Sequence, residues 1–150
     1  MNDGADSNGK TELASGKLTR SLGFLTRVVH IQINDLIRAN GGLAASPVTL
    51  TMLSLVHEHP GVRQAQAARL LLIHESNMAI LVKNLVSQGL LERRESTGKR
   101  SGLWVTAKGA DFVAQAAPVD SWIRDFAGSL ADDEYQQLIA LLGRLYRDWV

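Results

Sequence analysis

The sequence predicts a mainly α fold that carries one small β-hairpin. Three observations point there. Apolar residues recur at spacings of three and four through most of the chain, the period of a helix with one buried face. Capping and breaking residues cut that pattern into pieces of helical length. One short stretch departs from it: Leu90-Leu91 and Leu103-Trp104-Val105 flank a small polar tip at Ser96–Gly98, the signature of a hairpin.

The elements follow in order. Residues 1–16 (MNDGADSNGKTELASG) are polar and rich in Gly, Ser, Asp and Asn, and are expected to form a flexible tail. Residues 17–39 read as one long helix. Leu18, Leu22, Leu25, Val29, Ile33 and Leu36 form its stripe, and Phe24, Val28, Ile31 and Ile37 widen it beyond one face. Asn40-Gly41-Gly42 stops it, because both residue types tolerate the left-handed conformation. Ser46-Pro47 opens the next helix as N-cap and first helical residue, with Leu50, Leu53 and Val56 inward. His59-Pro60-Gly61 makes a turn.

A short helix over 63–71 turns Ala67, Ala68 and Leu71 inward. Leu72-Ile73-His74 is a tight connection to a helix over 75–88, which buries Met78, Leu81, Val82 and Leu85 and ends at Gly89. After the hairpin, Thr106 caps a helix from about 107. Pro118 kinks or splits that helix, since it offers no N–H and crowds the preceding turn. The last helix spans about 132–148. Asp132, Asp133 and Glu134 favour the positive end of its dipole, and Leu138, Leu141, Leu142 and Leu145 form its stripe.

Within 63–106 the order is helix, tight turn, helix, strand, basic tip, strand, which describes a winged helix-turn-helix. Charge agrees with that reading. Residues 61–108 hold eight basic and three acidic residues, whereas residues 109–150 hold three basic and seven acidic. The whole chain of 150 residues nets only +1, so the segregation rather than the total points to phosphate attraction.

Composition excludes other classes. There are no cysteines, so a disulfide framework, a thiolate metal site and a thiol switch are ruled out. His57 and His59 stand two apart and point away from each other on a helix, so no metal is expected. Neither a glycine-rich phosphate loop nor a nucleophile elbow is present, and no enzymatic activity or cofactor is expected. Aromatic residues make up 5%, too few for a single-strand stacking platform. The sequence has no apolar run of transmembrane length and no signal-peptide pattern, so the expected setting is cytoplasmic, with no membrane partner.

A recognition helix keeps one face in the core and offers short polar side chains on the other. Ser76, Asn77 and Ile80 are expected nearest the bases, Asn77 for its bidentate pairing with adenine and Ile80 for a thymine methyl. Lys83 and Asn84 are expected nearer the phosphates. In the hairpin, Arg93, Arg94, Lys99 and Arg100 would follow the backbone or enter the minor groove.

The short helix QAQAARLL, the helix ESNMAILVKNLVSQ, the junction GLLERR, the basic hairpin and VTAKG together resemble the MarR family of bacterial transcriptional regulators. The resemblance covers residues 17–150 as one domain, with 46–106 as the DNA-binding lobe and 17–39 and 107–150 as dimerisation helices. It implies a homodimer on double-stranded DNA with a pseudo-palindromic operator. Independent support comes from the broad apolar surface of the first helix and from Tyr146, Trp149 and Val150, which a monomer would expose.

The resemblance also implies a repressor released by a small aromatic acid or an aromatic acyl-CoA. The ligand would lie between the dimerisation helices and the lobe, with Arg20, Arg27, His30, Asn34 and Arg38 of the first helix as candidates, Arg27 with His30 as the preferred anionic-ligand pair, and Trp104 or Phe112 near the junction. The chain departs from the family's usual wording at two places. Gly98-Lys99-Arg100 replaces an Asp-Arg-Arg run at the tip, and Ile80 replaces an Arg or polar residue. The alternative reading is a winged-helix module for protein–protein contact without ligand response.

Overall fold

A computed structural model describes residues 16–40, 46–96 and 100–147. Seven α-helices and one hairpin occur among the described residues: α1 (Leu22–Asn40), α2 (Pro47–Glu58), α3 (Gln64–Leu70), α4 (Glu75–Ser87), β1 (Leu91–Ser96), β2 (Arg100–Val105), α5 (Ala107–Gln115), α6 (Val119–Phe126) and α7 (Asp132–Arg147). The tail expected over 1–16, the glycine stop at 41–42, the tip residues 97–99, and Trp149 and Val150 lie outside the described residues, except for Gly16.

The core sits in the middle of the chain. Met52, Leu53 and Val56 of α2 pack with Ala67 and Ala68 of α3, with Met78, Val82 and Leu85 of α4, and with Leu90, Leu91 and Leu103 at the hairpin base. At seven residues, α3 is too short to persist alone. Its two buried alanines let it approach the neighbouring helices closely enough to share their apolar surface. The stop signals perform as expected. Ser46 Oγ accepts from Thr49 N, with Pro47 in the first turn. Gly89 takes φ +69 after α4, and Leu90 N donates back to the Leu85 carbonyl.

Three details correct or complete the sequence reading. The helix expected over 17–39 is broken. Leu18–Arg20 form a 3-10 turn, and Ser21 is extended at ψ 142° before α1 begins. The Ser21 hydroxyl donates to the Leu18 carbonyl at 2.7 Å and accepts from Phe24 N at 3.3 Å, giving the backbone a local alternative to the helix. Pro118 splits rather than kinks: α5 ends at Gln115 and α6 restarts at Val119. The hairpin gains a partner the sequence did not reveal, because Leu103 N and O bond to Val62 O and Gly61 N across an isolated bridge.

The ends of α4 and α5 are joined by backbone contact. Thr106 Oγ1 donates to the Gly89 carbonyl at 2.6 Å and accepts from Gly109 N at 3.0 Å, capping α5. Lys108 Nζ donates to the Gln88 carbonyl at 2.8 Å, placing a cation at the negative end of α4. A Cβ on Gly109 would lie 2.1 Å from the Leu90 oxygen, so only glycine allows the approach. The sequence pieces GLL and VTAKG are therefore the two halves of one joint.

Outside this core lie α1, α6 and α7. α1 packs against α6 and α2. Neither α1 nor α7 contributes a fully buried residue among those described. Arg124 turns the corner from α6 to α7: it donates to the carbonyls of Ala127 and Leu130 and to Asp132, and it lies over the Tyr135 ring at 4.9 Å. No helix among the described residues is long and apolar enough to cross a membrane.

Candidate nucleic-acid interface

Helix α4 buries Met78, Val82 and Leu85 and turns its opposite face outward. Ser76, Asn77, Ile80, Lys83 and Asn84 are all exposed there. Spacing explains this, since the buried residues recur at three and four and leave the intervening positions on the other side. None of the polar side chains in this set is hydrogen-bonded to another described residue. Ile80 is 60% exposed, a large apolar side chain held in water at the middle of the row.

Residues α3 and α4 are set by the turn between them. Leu72 adopts φ +52, which for a non-glycine residue costs about 1–2 kcal/mol. It stands where a glycine usually closes a helix, and Ile73 N donates across it to the Ala68 carbonyl at 2.9 Å. The strained residue is thus what points α4 away from α3.

The wing divides its arginines by strand alternation. Leu91, Arg93 and Glu95 share one face of β1, while Glu92 and Arg94 share the other. Arg93 Nη2 donates to Gln64 Oε1 of α3 at 2.6 Å, beside a hollow lined by Gln64, Ala65, Ala68, Glu75, Arg93 and Ser101. Arg94 turns the other way. Its Nε donates to Glu92 Oε1 at 2.9 Å and its guanidinium lies 5.8 Å from the Trp104 ring centre. The structure therefore brings Arg93 to the start of the helix-turn-helix and leaves Arg94 on the far face. Lys99 lies outside the described residues, and Arg100 is placed by its backbone alone, opposite Ser96.

A cleft of about 360 Å³ opens between the first helix and this lobe. His30, Asn34 and Arg38 of α1 form one wall, Pro47, Val48 and Thr51 of α2 a second, and Leu71 and Ile73 of the turn a third. Its volume lies within the range of small-ligand sites. Asn34 Nδ2 is 2.9 Å from His30 Nε2. Of the five candidates on the first helix, His30, Asn34 and Arg38 line the cleft; Arg20 and Arg27 do not, so the guanidinium beside His30 and Asn34 is that of Arg38 rather than Arg27. Arg38 also reaches Asp35 at 3.4 Å, an exposed pair that holds it weakly.

Trp104 is likewise corrected as a cleft residue. It packs over Gly61 and Gly102, where a Cβ would approach its ring to 3.0 and 2.8 Å, and so belongs to the wing. Phe112 packs against the central core. A larger cleft of about 620 Å³ lies between α2 and α5–α6, but Glu58, Asp111 and Asp120 line it with no Lys or Arg. That sign repels carboxylates, whereas the first cleft carries a guanidinium and no acid.

Comparison with known proteins follows the same lines. The model of a family described as MarR matches residues 46–101. A putative transcriptional regulatory protein for the hcr operon of Thauera aromatica is 31% identical over 143 residues, covering 91% of this chain and 85% of its own. Among solved structures, the PcaV transcriptional regulator from Streptomyces coelicolor, in complex with its natural ligand, superposes with a TM-score of 0.76 at 22% identity. That match covers 88% of this chain and 96% of the other. The transcriptional repressor CouR, bound to p-coumaroyl-CoA, has a TM-score of 0.76 at 22% identity, covering 89% and 96%. At such identities the two structures speak for the fold alone.

Proposed function

The chain belongs to the MarR family of transcriptional regulators, and on that premise we propose that it is a homodimeric repressor released by a small aromatic acid or its acyl-CoA thioester. The single observation that carries the ligand response is the cleft between α1 and the turn at Leu71 and Ile73. A ligand seated there touches the dimerisation side and the DNA-reading side at once. Arg38, His30 and Asn34 would hold a carboxylate or thioester oxygen, and Val48, Leu71 and Ile73 the ring. The volume accommodates an aromatic acyl group, with any CoA moiety left outside along α1.

The dimer is supported by two exposed apolar stripes. Leu18, Leu22, Leu25 and Val29 form one, and Leu138, Leu141, Leu142 and Leu145 the other. Such stripes at the two ends of a chain suit a two-fold interface. Each protomer would then place Ser76, Asn77 and Ile80 in one of two successive major grooves, about 34 Å apart. Lys83, Asn84, Arg93, Lys99 and Arg100 would meet the backbone and minor groove, in the cytoplasm where the chromosome lies. A ligand favouring a different separation of the lobes would lower DNA affinity by that differential alone.

The test is a labelled duplex carrying the selected operator, titrated with protein in the presence of p-coumarate or p-coumaroyl-CoA. Release by either, lost in Arg38→Ala with ligand-free DNA affinity intact, is the expected outcome. Equal release of wild type and Arg38→Ala would move the ligand out of this cleft.

A further inference from the structure

Helix α3 ends with four carbonyls that its own helix cannot satisfy. Three find partners within the turn: Leu71 N donates to Ala67, Ile73 N to Ala68, and Leu72 N to Arg69. The fourth, on Leu70, accepts from Tyr146 Oη at 2.9 Å, across 76 residues of chain. A side chain at the end of α7 thus completes the cap of the helix that precedes the recognition helix.

The position gives this bond its meaning. α7 is sixteen residues long, about 24 Å. Arg124 fixes its beginning, and Tyr146 pins its far end to the lobe. Between them the helix exposes its leucine stripe and buries no residue among those described. It is a strut held at two points. The pinned carbonyl lies two residues before the strained Leu72 and five before the first residue of α4.

We infer that Tyr146 is a positioning residue: it locks the reading lobe to the C-terminal helix and thereby sets the separation of half-sites that the dimer accepts. This rests on the dimeric DNA reading proposed above. Tyr146 touches no base. Its effect is on where α4 stands relative to the two-fold axis, so it governs spacing and leaves half-site sequence unchanged.

Selection from a random duplex pool tests the idea, with wild type and Tyr146→Phe run in parallel. Phe keeps the ring and removes only the donor. Wild type should return paired half-sites at one spacing, and the variant the same half-sites over a range of spacings. On duplexes with one base pair inserted at the centre, the penalty should fall by about threefold to tenfold in Tyr146→Phe, the size of one net hydrogen bond. Affinity for unrelated duplex should not change. A purely structural role would weaken both duplexes alike and leave their ratio fixed, and that result overturns the inference. Hydrogen exchange at the amides of Leu71–Glu75 gives a second readout, which should quicken in the variant; unchanged exchange also overturns it. If wild type selects no paired half-sites, the dimeric reading fails first and the inference with it.

Discussion

Gly109 and Asn77 illustrate two kinds of residue whose replacement has calculable consequences. Gly109 has a rotationally ordinary backbone, and its constraint is space: the Leu90 oxygen sits where a methyl group would go, at 2.1 Å. Gly109→Ala should cost about 3 kcal/mol, read as a lower urea midpoint with an unchanged slope. A midpoint equal to wild type would mean that the α4–α5 joint is looser than described. Asn77 contributes nothing to the core, so Asn77→Ala should leave stability alone. It should instead change preference at one operator base pair by about 1–3 kcal/mol, measured by competition among single-substitution duplexes. No change in preference would remove Asn77 from the base-reading set. The wing arginines show where sequence stops being informative at this scale. Arg93 and Arg94 look equivalent as a basic pair, yet alternation sends one to Gln64 and the other to Glu92 and Trp104. Only the register with β2 decides which, and register was not readable from the residues.

At the scale of elements, most of the fold was legible because its boundaries are chemically marked. Ser46-Pro47, Gly89, Thr106 and Pro118 each act through a backbone group they supply or lack, and each ends or begins a helix where expected. Ser21 was missed because a serine in an apolar-periodic run is compatible with helix, and its side chain chose the local bonds instead. The cleft was half legible. Periodicity gives the faces of α1, but not which face meets the turn, so Arg27 and Arg38 are both candidates from the residues and only the structure puts Arg38, not Arg27, on the wall with His30. The α3–α4 turn carries an element-scale prediction. Leu72 is 70% exposed and sits at φ +52, so Leu72→Gly removes little burial and relieves the strain. It should raise stability by about 0.5–1 kcal/mol in denaturant unfolding. A loss of stability would show that the leucine side chain packs in a way its exposure conceals.

For the whole molecule, charge and apolar surface are divided between its two ends. The basic residues cluster through 61–108, and most of the uncovered leucines lie on α1, the turn before it and α7. DNA affinity should therefore be steeply salt-dependent although the chain nets only +1. With four phosphates met by each protomer of a dimer, the slope of log affinity against log salt should be about −7. A slope near zero would argue for a protein-contact module. The joint between α4 and α5 sets how motion reaches the DNA. Thr106, Lys108 and Gly109 grip the end of α4 through its backbone, with no side-chain cushion between Gly109 and Leu90. The two helices must then turn together, like the arms of a bent lever. α4 is thirteen residues long, about 20 Å, so each degree of rotation at the joint sweeps its free end by about 0.3 Å. A tilt of ten degrees would carry Ser76 and Asn77 about 3 Å, close to the rise of one base pair. A ten-degree turn of the whole lobe, its core carried along with α4, is thus enough to misalign the reader with its site.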